Sequence, residues 1–471
     1  MTIAPTLALE SLWRAAALPE PTLQQVALTG AEPVLPSSFA VGTAAQVSFA
    51  AAALAAAALG ELRNGLRQQV HVDMRHAALE CCGRFMLDGV VPPLWDKLAG
   101  LYACESGWVR LHTNFAHHRD GVLRLLGLPE GEQTEREAVA QALARWDAAA
   151  FERAASDAGL VVAALRSFDE WDVHPQSAVV AAQPLVAIER IGDAPPLALP
   201  ALPLALPALP LNRRPLAGVR VLDLTRILAG PFCGRTLAAY GADVMLVNSP
   251  HLPNIEAIAD TSRGKLSALA DLRTDTGRAA LHGVLRDAHV FVQGYRPGAL
   301  ATLGFTPEAV AQTRPGIVMV SLSAYGETGP WAGKRGFDSL VQTATGFNHA
   351  EAQAAGATQA RPLPMQILDM ASGALMAFGA QAALLRQQRE GGSWHVRVSL
   401  ARTGVWLREL GRVADGFVAP PADFGDVMET SSSGWGELSA IRPTAGFSHT
   451  PAGYARPSMP PGSHALAWPT R

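Results

Sequence analysis

Asp369 stands between an apolar, proline-bearing run, Pro362-Leu363-Pro364-Met365-Gln366-Ile367-Leu368, and the Met370-Ala371-Ser372-Gly373 opening of an alanine-rich helix. A carboxylate at a helix start has two uses. It can cap, because free N–H groups and the helix dipole favour negative charge there, or it can be a reagent. On local sequence alone the cap is the commoner role, and the same N–H groups would then hold the carboxylate ionised. His112, His117 and His118 also cluster in sequence. Zinc needs three or four ligands at suitable spacing. Adjacent His117 and His118 point to different faces of most backbones and Cys104 lies outside any usual spacing, so surface or hydrogen-bonded histidines are expected, and no metal. Cys81, Cys82, Cys104 and Cys233 show no disulfide framework, which fits a reducing cytoplasm.

The 471 residues allow about two to four domains. Hydrophobic residues are 49% and charged residues 17%, so a real core is expected, and a net charge of −3 argues against nucleic acid as a partner. Met1 to Glu10 has no basic region ahead of an apolar core, so no secretory signal is expected. The apolar run Val47 to Leu59 is too short to span a membrane and reads as a packed helix.

The elements that would carry these residues fall into two textures. Up to residue 194 the pattern is α+β: helices over Leu7–Ala17, Thr43–Asn64, Arg136–Ala144 and Ala148–Ala158, with extended segments at Gln69–Met74 and Trp108–His112. Residues 195–215 repeat Ala-Leu-Pro, which reads as a semi-rigid linker because proline removes donors and fixes φ. From 216 to 410 strands and helices alternate: strands at 219–224, 244–247, 290–293 and 317–322, helices at 231–240, 276–286 and 307–312, with Pro231 at a first helical position. That alternation predicts an α/β, open, mostly parallel Rossmann-like sheet with ligands at the C-terminal strand ends. Residues 411–471 read as an extended tail. The turn Thr225-Arg226-Ile227-Leu228-Ala229-Gly230-Pro231 lacks the Gly-x-Gly-x-x-Gly of dinucleotide sites, so NAD is disfavoured, although its helix N-terminus suits a phosphate.

The segments Pro215 to Arg226, Ala229-Gly230-Pro231-Phe232, Gly241-Ala242-Asp243-Val244, Arg263-Gly264-Lys265, Tyr295-Arg296-Pro297-Gly298, Tyr325-Gly326, Thr328-Gly329-Pro330 and Gly336-Phe337-Asp338 resemble, in order, the family III CoA-transferases, which include formyl-CoA and carnitine CoA-transferases and the related 2-methylacyl-CoA racemases. The resemblance implies that Asp369 is a nucleophile that attacks an acyl-CoA thioester. It implies that the backbone of Ile227, Leu228 and Ala229, with Lys265, Tyr295 and Arg296, borders CoA, which is a substrate here alongside a carboxylic acid; neither a metal nor NAD is expected. The family's assembly would be a homodimer, with no membrane or nucleic-acid partner. Two departures stand out: Met245-Leu246-Val247-Asn248-Ser249 replaces a run that usually carries lysine and glutamate, and no glycine-rich loop of the formyl-CoA transferase kind is found. They keep open two other readings, a 2-methylacyl-CoA racemase with His349 as proton partner and an inactive CoA-binding or assembly protein.

Residues 1–194 resemble the rear portion of the same family, through Cys104-Glu105-Ser106-Gly107-Trp108-Val109, Leu126-Gly127-Leu128-Pro129 and Glu170 to Gln176, so the halves appear in reversed order. The tail from Phe447 to His464 resembles the family's closing segment. A permuted protomer and a single-chain pseudo-dimer both fit that order. Part of the chain also repeats: Ala57, Leu59, Arg63, Gly65, Val70 and Val72 match Ala383, Leu385, Arg389, Gly391, Val396 and Val398 at one constant offset. Asp369 then corresponds to Thr43, and no acid lies between Pro33 and Gly60, so the first copy is expected to lack a nucleophile and to serve as scaffold.

Overall fold

The computed structural model describes residues 2–197, 199 and 214–469, so most of the Ala-Leu-Pro repeat lies outside the described residues. In the first part of the chain, strand β1 (Val26–Thr29) leads to helix α1 (Val41–Asn64) and strand β2 (Val70–Asp73); helix α2 (Ala116–Leu125) and strand β3 (Ala187–Gly192) follow. After the proline-rich stretch come β4 (Arg220–Leu224), helix α3 (Ala229–Ala239), β5 (Asp243–Asn248), β6 (Lys265–Leu269), β7 (Val290–Gln293) and β8 (Val318–Ser323). Helix α4 (Asp338–Ala344), helix α5 (Ile367–Glu390) and strand β9 (Ser393–Ser399) complete the set.

The large sheet has seven strands in the order β6-β5-β4-β7-β8-β9-β3. Its first six strands are parallel, as the β/α alternation predicts, and their near-continuous Val, Leu and Met runs suit strands buried on both faces. The edge strand β3 precedes the proline-rich stretch and pairs antiparallel with β9. Strand β6 was not expected from the sequence. The predicted helix at 231–240 begins earlier, at Ala229, which puts Pro231 at the third helical position and corrects its assignment to the first.

Helices α1 and α5 are both 24 residues long and pack against each other at the centre of one core that draws on both sides of the proline-rich stretch. Alanines and glycines along both helices permit close approach, and the Gln381 amide reaches across to the Ala52 carbonyl at 3.0 Å. Both helices are long and apolar enough to cross a membrane, and both are spent instead on this packing. The residues read as an extended tail contain a hairpin, Met428–Ser433 with Gly436–Ile441, which adds to Phe85–Leu87 of the first part. Nearby, buried Arg235 on α3 pairs with Glu80 and Asp260. Removing one partner from such a buried set typically costs about 3–5 kcal/mol, so it fastens the first part of the chain to the sheet.

Candidate active site

A cavity of about 410 Å³ opens at the C-terminal ends of β4, β7 and β8. Loops beyond these strand ends are where an open α/β sheet holds its ligands. Asp369, Ile227, Leu228, Ala229, Tyr295 and Arg296 all line it. The turn after β4 is bent sharply: Ile227 sits at φ 77°, in the left-handed region. For a β-branched residue that conformation costs on the order of 1–3 kcal/mol and persists where the surroundings fix it. It brings Ala229, the first residue of α3, into the cavity wall, and amides at a helix start have no intrahelical acceptor.

Lys265 does not belong to this group. Its ammonium is fully buried, 2.8 Å from Asp223 Oδ2 and 2.7 Å from the Pro231 carbonyl, so the lysine predicted to border CoA instead joins β6, β4 and α3. Burial pushes its pKa down. Gly234 faces the pair so closely that any Cβ there would clash with the Asp223 carboxylate. A charge this enclosed has no access to a ligand.

Asp369 is the third residue of α5, yet it does not cap the helix. Its own backbone N–H donates to Asp338 Oδ2 at 2.9 Å, and Asp338, the first residue of α4, also takes the Leu368 amide. Gln342, one turn further along α4, hydrogen-bonds the other Asp338 oxygen, accepts from the Leu363 amide at 3.0 Å and reaches the Met365 carbonyl at 3.3 Å. The whole apolar run before α5 is thus bolted to α4. Asp369's carboxyl is left facing the cavity with 8% of the residue exposed. Desolvation, and then the neighbouring Asp338, hold its pKa well above the usual carboxylate range, while burial raises Asp338 to about 6. The expectation that first-turn amides would keep Asp369 ionised is therefore corrected: Asp338 receives those hydrogen bonds, and two buried carboxyls share one neighbourhood.

The cavity mouth is cationic. Arg226, Arg296 and Arg335 all line it, and among the described residues none of the three pairs with a carboxylate. Burial lowers the pKa of Arg226 and of Arg335, and Arg296 lowers that of Arg335 further. Part of the wall comes from the first part of the chain, Phe115, His117 and His118, with Arg226 over the Phe115 ring at 5.6 Å. His112 lies behind them, stacked on Phe337 with ring centroids 4.0 Å apart. Burial lowers His118 to about 4 and His112 to about 3, so both rings are neutral at pH 7. Among the described residues no three His, Cys, Asp or Glu side chains are grouped as a metal would need.

Residues 216–414 match the sequence profile of CoA-transferase family III. Over this part the chain is similar to that family. Among curated relatives, the succinate–glutarate CoA-transferase of Agrobacterium fabrum is 33% identical over 210 residues, which are 40% of this chain and 52% of that protein. An acyl-CoA transferase of Gibberella moniliformis is 28% identical over 374 residues, 70% of this chain and 64% of the relative. The formyl-CoA:oxalate CoA-transferase of Streptomyces coelicolor is 29% identical over 251 residues, 48% and 59% of the two chains. The chain spans about half the length of the curated relatives it matches. A solved structure of a CaiB/BaiF family protein from Brucella suis is 25% identical, with a TM-score of 0.36 over 48% of this chain and 65% of that one.

Within the segment that matches the profile, sequence reasoning missed three residues of the cavity surroundings. Asp338 was visible only as part of the Gly336-Phe337-Asp338 motif, and nothing in its spacing points to an amide 31 residues away. Arg226 lies inside segments that were singled out and Arg335 adjoins one, but neither was given a role, and their signal is a basic residue beside a strand-end loop. His117 and His118 were weighed only as zinc ligands. His349, considered as a proton partner, lies on the helix Phe347–Ala354 and does not line the cavity.

Proposed function

We propose that this protein is a CoA-transferase that moves CoA from an acyl-CoA to a carboxylic acid through Asp369. The observation that carries the reading is an uncapped, desolvated carboxyl at the inner end of a cavity whose mouth holds three guanidiniums without acid partners. Guanidiniums and helix N–H groups suit the phosphates of CoA, and a dry carboxylate is a stronger nucleophile than a solvated one. The names of the relatives, which act in transfers among succinyl, glutarate and formyl-CoA/oxalate partners, support the class of reaction.

In this scheme the ionised Asp369 oxygen adds to the thioester carbonyl and the C–S bond breaks, giving an acyl-aspartyl anhydride and CoA thiolate. The thiolate attacks the aspartyl carbonyl, releasing the donor acid and leaving an aspartyl-CoA thioester. The acceptor carboxylate repeats the two exchanges in reverse and leaves as acyl-CoA, with Asp369 regenerated. Each exchange is split into easier covalent steps. The raised pKa of the Asp338–Asp369 pair means that Asp369 must shed a proton before it reacts.

The test uses succinyl-CoA and acetyl-CoA as probes with hydroxylamine as the trap. An adduct on the peptide carrying Asp369, absent from Asp369→Asn, is the expected result. Exchange of an α-proton for deuterium without an adduct would point to a racemase, and CoA binding with neither reaction to an inactive binding protein.

A further inference from the structure

Lys334 and Arg335 are adjacent cations that make opposite choices of partner. Lys334 places its ammonium 2.8 Å from Glu152, a buried carboxylate that also holds Arg166, so its charge is neutralised. Arg335 donates from Nη1 to His118 Nε2 at 3.4 Å. A guanidinium can only donate, so Nε2 must be the acceptor and the neutral ring carries its proton on Nδ1. His118 is 4% exposed and clamped by rings: Phe115 is edge-on at 5.5 Å and His117 lies at 4.2 Å. The low pKa of about 4 keeps it an acceptor at neutral pH.

We propose that His118, supplied by the first part of the chain, is a positioning residue that fixes the Arg335 guanidinium over the cavity for an oxyanion of the substrate. The inference rests on the CoA-transferase reading of the site. A carboxylate in His118's place would orient the arginine equally well but would quench its charge. A neutral acceptor orients it and leaves the charge for the ligand. The oxyanion is a phosphate of CoA or a carboxylate of the acid partner, and the two sources are separable by experiment. Either way the site is finished by residues on both sides of the proline-rich stretch, within one chain.

The full-length protein is titrated calorimetrically with CoA and, separately, with succinate, as wild type and as H118A, H118Q, R335A and the H118A/R335A double variant. H118A is expected to weaken one of the two probes about five- to tenfold. R335A should weaken the same probe, and H118Q, which keeps an acceptor, should stay within about twofold of wild type. The double variant should bind no more weakly than R335A, because His118 acts through the arginine. Weakened CoA assigns the phosphate and weakened succinate the carboxylate. Unchanged binding of both probes by H118A, or a double variant that loses the product of the two single factors, overturns the assignment. If CoA binding depends on His118 as described while Asp369 forms no adduct, the transfer reading fails and this one stands. A wild type that binds neither probe overturns both.

Discussion

Helices α1 and α5 start with the same backbone and each stops at a glycine, although ψ at that glycine is 0° after α1 and −156° after α5. The residue before each, Ala40 and Gln366, has ψ 60° with φ near −80°, and the residue after each, Gly65 and Gly391, has positive φ. Neither N-cap side chain caps. In each copy an acid from outside the helix takes the amide of its third residue: Glu32 Oε1 accepts from Thr43 at 2.7 Å, and Asp338 Oδ2 accepts from Asp369 at 2.9 Å. The strands agree as well, since β1 pairs with β2 up to Thr29 and Asp73, and β8 with β9 up to Ser323 and Ser399. Asp73 and Ser399 then each cap the next helix. The copies diverge at the third helical residue. Thr43 is sealed in and its side chain hydrogen-bonds Glu32, whereas Asp369 faces a cavity and repels Asp338. An acid at this position is thus unnecessary for the helix to form and unfavourable for its stability, as the proposed role of Asp369 requires.

Making each copy resemble the other breaks the comparison most sharply. Asp369→Thr should lower CoA transfer by about a thousandfold or more and abolish the hydroxylamine-trapped adduct, while raising stability at pH 7 by about 1–3 kcal/mol in denaturant titrations. An equally active Thr variant would remove Asp369 from the mechanism. The reciprocal Thr43→Asp places a second carboxylate against Glu32 with no cavity to hydrate it. It should destabilise the fold by about 3 kcal/mol and create no adduct on residue 43.

The pH dependence sharpens the same point. Asp338 has a folded pKa of about 6 against an ordinary 3.8, and Asp369 is shifted in the same direction. Between those values the folded chain holds protons that the unfolded chain has lost. Stability should therefore fall as pH rises through that window, and Asp369→Thr should flatten the fall. Activity through the proposed mechanism should run the other way, because that mechanism needs the carboxylate form: kcat/KM should rise with pH along an acid limb that belongs to the pair, not to one residue.

Much of this was legible in the chain, for physical reasons that also mark where reading stopped. Strands β4, β5, β7 and β8 declare themselves as buried apolar runs between glycine and proline turns, and their alternation with helices points to the C-terminal strand ends, whereas Ile227, Leu228, Ala229, Tyr295 and Arg296 were singled out by the family resemblance. The repeat was legible because a helix followed by a strand keeps its register at a constant offset. Lys265 was misread because the family resemblance set it beside CoA, and only the fold shows Asp223 facing it. Glu32 stands directly before the acid-free run that begins at Pro33, and its spacing of 11 residues from Thr43 matches no local capping pattern. The cap is a tertiary contact, so no local pattern encodes Asp338 reaching Asp369, or His118 reaching Arg335 from across the proline-rich stretch.

The smallest expected difference is between the two capping acids. Glu32→Gln and Asp338→Asn each keep one oxygen to accept the helix amide and give up a charge that burial already disfavours. Each should destabilise the fold by about 1–3 kcal/mol, because each carboxylate accepts from several donors and an amide can accept from fewer: Asp338 from Gln342 and the Leu368 and Asp369 amides, Glu32 from Thr43, Val34 and Gly42. What separates them is electrostatic. Glu32 faces a hydroxyl, so Glu32→Gln should leave the acid limb of kcat/KM where it is in wild type. Asp338 faces the reacting carboxyl, so Asp338→Asn removes a like charge, lowers the pKa of Asp369 and should move the acid limb to lower pH. A limb that shifts equally in both variants would mean that the change comes from helix packing. A shift confined to Asp338→Asn would show that the cap of one copy has become part of the site while that of the other remains a cap.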